Sequence, residues 1–139
     1  MSAKDESEPS VRLVEQRIRN RIMEEIWTLS QGDAGVLEAG LTEWFEAFFD
    51  WFPYEGEPDD NPAMTPEEAV AVREVCKLMQ EAIADTDISR DPTVDEVIRT
   101  DWPLRVAPVA KAALDLMLRR GRFSEDTEEP EPSSPIPWP

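Results

Sequence analysis

Apolar residues recur along this chain with the period of an α-helix, and no stretch alternates polar and apolar residues as a half-buried β-strand does. The clearest helical run consists of Val11, Val14, Ile18, Ile22, Ile26 and Leu29. In that run Glu15 stands four residues before Arg19, the favourable order for a helical ion pair. The periodicity predicts an all-α protein.

Two sequence signals for the start of a helix support the all-α interpretation. Thr65 is followed by Pro66 and Glu68, and Thr93 is followed by Glu96. Thr at the N-cap position with Glu three residues later forms a capping box, and Pro suits the first helical position. Each signal therefore predicts the first turn of a helix.

The predicted fold is a small irregular bundle of four main helices and one short helix. The predicted helices cover about residues 10–30, 34–52, 65–84, 93–99 and 102–120. Pro108 lies inside the last one, which implies either a kink or a start near Ala107. Gly121 is well placed to end it.

The apolar pattern is confined to the middle of the chain. We expect residues 10–123 to form the helical domain, residues 1–9 to be a disordered N-terminal tail and residues 124–139 to be a disordered acidic, Pro-rich tail. The last five residues could also be a short polyproline ligand for an aromatic groove.

The net charge of −17 is unevenly distributed. Residues 31–60 contain nine acids and no Lys or Arg, and residues 125–139 contain five more acids, whereas the first and last helices are slightly basic. This charge distribution favours docking of those two helices against the acidic middle of the chain.

Several classes of function are disfavoured by composition. The chain has no His and one Cys, so it lacks the commonest metal ligand, the usual acid–base residue and any internal disulfide. Its acidity disfavours nucleic-acid and anionic-membrane partners. The arginines at 119, 120 and 122 do not change this interpretation, because cations at a helix C-terminus interact favourably with the helix dipole. Without a signal peptide or an apolar span, we expect a cytoplasmic protein with no cofactor.

The most informative segment for function combines aromatic and acidic residues. Seven of the eleven aromatic residues fall between Trp44 and Tyr54, too many for one packing face. Aromatic anchors beside acids are typical of a surface that binds a basic protein. The predicted partner-binding residues are Glu43, Glu46, Phe49, Asp50, Trp51, Tyr54, Glu55, Glu57, Asp59 and Asp60.

The leading hypothesis is a non-enzymatic acidic helical module (an adaptor, inhibitor or immunity-type protein) that engages a basic partner. Nucleic-acid mimicry by spaced carboxylates is a variant of it. One alternative is a metal-dependent carboxylate enzyme using the acids of residues 55–60. The other is an obligate homodimer with the aromatic helix as its interface. Cys76, on an apolar helix face, is expected to be an inert core residue.

Overall fold

The computed structural model describes residues 8–52 and 61–133 and confirms the all-α class. The α-helices are α1 Val11–Ser30, α2 Asp33–Ala39, α3 Leu41–Glu46, α4 Pro66–Asp85, α5 Val94–Arg99 and α6 Trp102–Leu118. Short 3-10 helices cover Ala47–Asp50 and Ile88–Arg90. The described residues contain no β-strand. The predicted helical bundle is therefore present.

Both predicted capping boxes form. At the start of α4, the Glu68 amide donates to Thr65 Oγ1 at 3.1 Å and the Thr65 amide donates to Glu68 Oε1 at 3.1 Å. Thr93 and Glu96 make the same reciprocal pair at the start of α5, at 3.1 and 2.9 Å. These bonds satisfy amides that the first helical turn leaves without an intrahelical acceptor.

The single helix predicted over residues 34–52 is wrong, because the chain breaks at Gly40. This residue has φ +86° and ψ 161°, a conformation outside the helical region that glycine adopts without steric cost. The helix ends at Ala39 and restarts at Leu41, then tightens into the 3-10 turn Ala47–Asp50. The side chains that follow the break therefore point in directions different from those in one continuous helix.

Gly35 has a different role from Gly40. A Cβ atom at Gly35 would lie 2.2 Å from the carbonyl oxygen of Thr28, whereas a Cβ at Gly40 would meet nothing within 4 Å. The absence of a side chain at Gly35 therefore lets α2 lie directly against the end of α1.

The apolar core lies between α1, α4 and α6. One end of it is filled by residues 44–52, which we call the aromatic segment. Ile22 and Ile26 of α1 are buried, as are Trp44, Phe48 and Phe52. The apolar stripe of α1 is not buried along its whole length, since Val11 and Val14 are exposed. The core therefore begins about three turns into α1.

Helix α6 begins at Trp102 and includes Pro108, so the start predicted near Ala107 is wrong. Pro108 is exposed. Gly121 follows the helix with φ +95°, the left-handed conformation expected of a helix-terminating glycine.

A buried charged group, not predicted from the sequence, joins α1, α4 and the end of α6. Arg19 does not take Glu15 as its ion-pair partner; it pairs with Glu68, and Arg120 binds the same carboxylate at 2.8 Å. Burial alone would raise the pKa of Glu68, but hydrogen bonds from Arg120 and Arg19 lower it to about 2. Glu68 is therefore ionised in the interior.

Residues 124–133 differ from the disordered tail expected from residue 124 onward. They lie against α1, where Arg12, Gln16 and Arg17 donate hydrogen bonds to their backbone carbonyls. This packing is not predictable from an apolar pattern, because the contacts involve the main chain. Residues 1–7 and 134–139, which include the proposed polyproline ligand, lie outside the described residues.

Candidate functional site

A groove lined by apolar and acidic side chains lies between the aromatic segment and the chain that follows α4. Its main cavity, of about 330 Å³, is lined by Phe45, Glu46, Phe49, Asp50, Ile83 and Ile88. A smaller cavity of about 70 Å³ shares three of these residues and is also lined by Leu41, Thr42, Asp91 and Pro92. We call the two cavities together the acidic groove.

The break at Gly40 and the 3-10 turns place the groove residues. Helix α3 and the turn Ala47–Asp50 present Phe45 and Phe49 on one wall. On the other wall the turn Ile88–Arg90 holds Ile88, which is 44% exposed. An isoleucine this exposed beside a cavity offers apolar surface to a ligand.

The charged residues that line the groove are all acidic. Glu46 and Asp50 lie on the rim of the main cavity, and Asp91 lies on that of the smaller one. The negative charge extends to α1, where burial and the nearby carboxylates of Glu43, Glu24 and Asp50 raise the pKa of Glu25. The groove and its surroundings therefore favour a cationic ligand.

The structure brings together three of the predicted partner-binding residues, namely Glu46, Phe49 and Asp50. Glu43 is exposed outside the cavity lining, where it acts on Glu25. Trp51 is 38% exposed and likewise lies outside the lining. Tyr54, Glu55, Glu57, Asp59 and Asp60 lie outside the described residues.

Sequence reasoning missed the second wall of the groove. Ile83, Ile88 and Asp91 line the cavities, and none of them is among the predicted partner-binding residues. One signal was present for Ile88, an apolar residue between Asp87 and Ser89 in a polar connection. An isolated large apolar residue in such a connection is a candidate contact residue.

Within residues 8–52 and 61–133, no three His, Cys, Asp or Glu side chains are grouped so that they could hold a metal ion. Cys76 is buried in α4, and burial raises the pKa of its thiol. A thiol in that environment is a poor nucleophile.

None of the helices in the described ranges combines the length and the apolar character needed to cross a membrane. Comparison of the chain with protein-family models, curated proteins and solved structures found no match. The function must therefore be argued from the site itself.

Proposed function

We propose that this protein is a non-enzymatic interaction module that binds a basic, amphipathic segment of another protein in the acidic groove. The observation that carries the proposal is the convergence of Phe49 and Ile88 with Glu46 and Asp50 around one open cavity. Apolar side chains of the partner would enter the cavity while its Lys or Arg side chains meet the rim.

The electrostatic support comes from acids that lie close to one another. The raised pKa of Glu25 shows that carboxylates of α1 and the aromatic segment repel one another, in addition to the effect of burial. Residues 31–60 supply no Lys or Arg to relieve that repulsion. A cationic partner would do so, which accelerates encounter and selects against acidic competitors.

The apolar support comes from the shape of the groove. A volume of about 330 Å³ is at the lower end of the range for small-ligand pockets and suits insertion of apolar side chains. Binding energy at protein interfaces is concentrated in such central contacts, and the charged rim contributes mainly specificity. We also propose a cytoplasmic location, because the chain's single cysteine cannot form an internal disulfide.

The probe for this proposal is a fluorescent amphipathic peptide of leucine and lysine, titrated with the full chain and followed by anisotropy. Binding should weaken at least about tenfold in Glu46→Lys, since one rim charge is reversed at the cavity. Ile88→Ser should weaken binding without changing the net charge. Added salt should weaken binding to the wild type.

The matched control is Glu81→Lys, which makes the same charge change at an exposed position of α4. A site at the groove requires Glu81→Lys to bind the peptide as the wild type does. Equal weakening by Glu46→Lys and Glu81→Lys would show that only net charge matters and would refute the proposal. Sedimentation of the free protein as a stable dimer would instead favour self-association.

A further inference from the structure

Residues 122–133, which we call the strap, are held along α1 mainly through their backbone. Asn20 holds the start of the strap, and its side-chain amide contacts both polar backbone atoms of Phe123. Asn20 Nδ2 donates to the Phe123 carbonyl oxygen at 3.0 Å, and Asn20 Oδ1 accepts from the Phe123 amide at 3.2 Å. Asn20 is itself fully buried, so the contact is shielded from water.

One turn earlier in α1, Gln16 holds a longer stretch of the strap. Its Nε2 donates to the carbonyl oxygens of Ser124 at 3.1 Å and Thr127 at 2.9 Å. Its Oε1 accepts from the Glu129 amide at 2.7 Å. Gln16 is fully buried beneath these groups. Each polar atom of its side chain is thus used on the strap backbone.

Two arginines extend the same pattern. Arg12 Nη2 donates to the Glu129 carbonyl oxygen at 2.9 Å, and Arg17 Nε donates to the Glu125 carbonyl oxygen at 2.8 Å. Main-chain contacts of this kind contribute affinity that does not depend on the side chains of the bound segment, as in other proteins that bind extended peptides. The face of α1 formed by Arg12, Gln16, Arg17 and Asn20 therefore has the chemistry of a peptide receptor.

Phe123 anchors the strap at a place separate from the apolar core. The residue is only 2% exposed, yet it does not belong to the contiguous core cluster. Guanidinium carbons of Arg12, Arg19 and Arg120 lie 5.0, 5.3 and 5.7 Å from the centre of its ring. Such cation–π contacts hold an aromatic ring by its face. Phe123 is thus held outside the core cluster, by arginines.

The strap's side chains match the charge of the face that holds them. Glu125 forms an ion pair with Arg21, and Glu131 forms one with Arg120. These ion pairs are partly exposed, so each contributes little to the binding of the strap and is weakened by salt. The outer contacts of the strap are accordingly its weakest.

We propose that this face of α1 is a peptide-binding site, occupied within the chain by the strap, and that its external ligand is an extended acidic segment with an aromatic anchor. The strap is tethered next to the site, at an effective concentration on the order of millimolar for a short linker. An external ligand binds when the strap is displaced. This site prefers acidic ligands, opposite to the acidic groove, and does not depend on the function proposed for that groove.

The test uses a labelled peptide with the sequence of residues 122–133 and full-length variants whose strap is weakened. Glu125→Lys reverses the charge beside Arg21, and Phe123→Ala removes the anchor. Phe123→Ala should bind the peptide at least about tenfold more tightly than the wild type, because the competing strap loses its anchor, and Glu125→Lys should also bind it more tightly. The control variant Glu81→Lys, with the same charge change on α4, should bind as the wild type does.

Two further measurements make the result decisive. Hydrogen exchange of the Phe123 and Glu129 amides should accelerate in both weakened variants, since these amides lose Asn20 and Gln16 as acceptors. Adding Gln16→Ala to Glu125→Lys should abolish peptide binding, and a peptide with Ala in place of Phe123 should not bind. An open strap without peptide binding, or a strap that stays closed in both variants, overturns the proposal.

Discussion

Arg19 of α1 and Glu68 of α4 form an ion pair in which both side chains are almost fully buried. Arg19 Nη2 lies 2.9 Å from Glu68 Oε2, with side-chain exposures of 0% and 2%. The other donors of Arg19 reach backbone oxygens at the end of α6, with Nη1 on Gly121 at 2.8 Å and Nη2 also on Met117 at 3.1 Å. Three segments distant in sequence are therefore joined at one guanidinium.

Arg19→Met should lower the free energy of unfolding by about 3–5 kcal/mol, because a buried carboxylate and the carbonyl oxygens of Gly121 and Met117 lose a charged donor. Because Arg120 still binds Glu68, we expect a loss near the lower end of this range. Urea denaturation followed by circular dichroism measures the change. Arg73→Met, at an exposed position of α4, is the matched control and should cost far less. Equal losses in the two variants would contradict a structural role for the pair.

The low pKa of Glu68 makes stability depend on pH in acid. The carboxyl has a pKa of about 2 in the folded chain against an ordinary value of 4.5, so it stabilises the fold above pH 4.5. That contribution, on the order of 3 kcal/mol, is lost as the pH falls from about 4.5 to 2. Denaturation midpoints measured across this range should show the loss.

Glu68→Gln and Glu96→Gln separate the ion pair from helix capping. Both glutamates occupy the same position of a capping box, but only Glu68 also binds two arginines. Glu68→Gln should be much less stable than the wild type at pH 7 and about equally stable at pH 2. Glu96→Gln should stay close to the wild type throughout. A similar pH profile in the two variants would assign the effect to capping alone.

Glu25→Gln should stabilise the protein at neutral pH. Burial and the carboxylates of Glu43, Glu24 and Asp50 raise the pKa of Glu25, so its charged form destabilises the fold. The gain should be largest at pH 7 and should disappear as the pH falls below the raised pKa, where Glu25 is protonated. Thermal melts at several pH values test this. Glu24→Gln should have the opposite effect, because Glu24 forms ion pairs with Arg21 and Arg122.

Two alanine substitutions at glycine should differ in cost for different reasons. Gly35→Ala places a Cβ 2.2 Å from a backbone oxygen of α1, so α2 must shift, and we expect a loss above about 2 kcal/mol. Gly40→Ala meets open space, so its cost of about 1–3 kcal/mol comes only from the backbone conformation at φ +86° and ψ 161°. Calorimetry compares them. A larger loss for Gly40→Ala would show that the break, rather than the close contact, limits stability.

The sequence was sufficient to predict the elements whose signals are local. Thr65 and Thr93 mark helix starts because a capping box requires only residues three apart, and both helices are present. The split at Gly40 was not predictable in the same way. Aromatic residues continue on both sides of it, and a glycine alone does not determine whether a helix continues.

The candidate site was predicted on one side only. Glu46, Phe49 and Asp50 could be proposed from composition, but Ile88 is brought to them by tertiary packing over a long sequence separation. The partner of Arg19 was not predictable for the same reason. Glu15 is close to Arg19 in sequence, whereas Glu68 is close to it only in the folded structure. Arg12, Arg17 and Arg21 of α1 bind residues 124–133, whereas the charge distribution favoured the acidic middle of the chain as their partner.

The contacts at the start of α4 determine where length variation can be tolerated. Asn61 binds the Glu15 carbonyl oxygen, Arg120 binds that of Ala63, and Glu68 both caps the helix and pairs with Arg19. The register of α4 is thus set by contacts that residues 61–68 make with α1 and with the chain after α6. An insertion between Asn61 and Glu68 should therefore displace α4 from Arg19 and Arg120 and destabilise the helical scaffold.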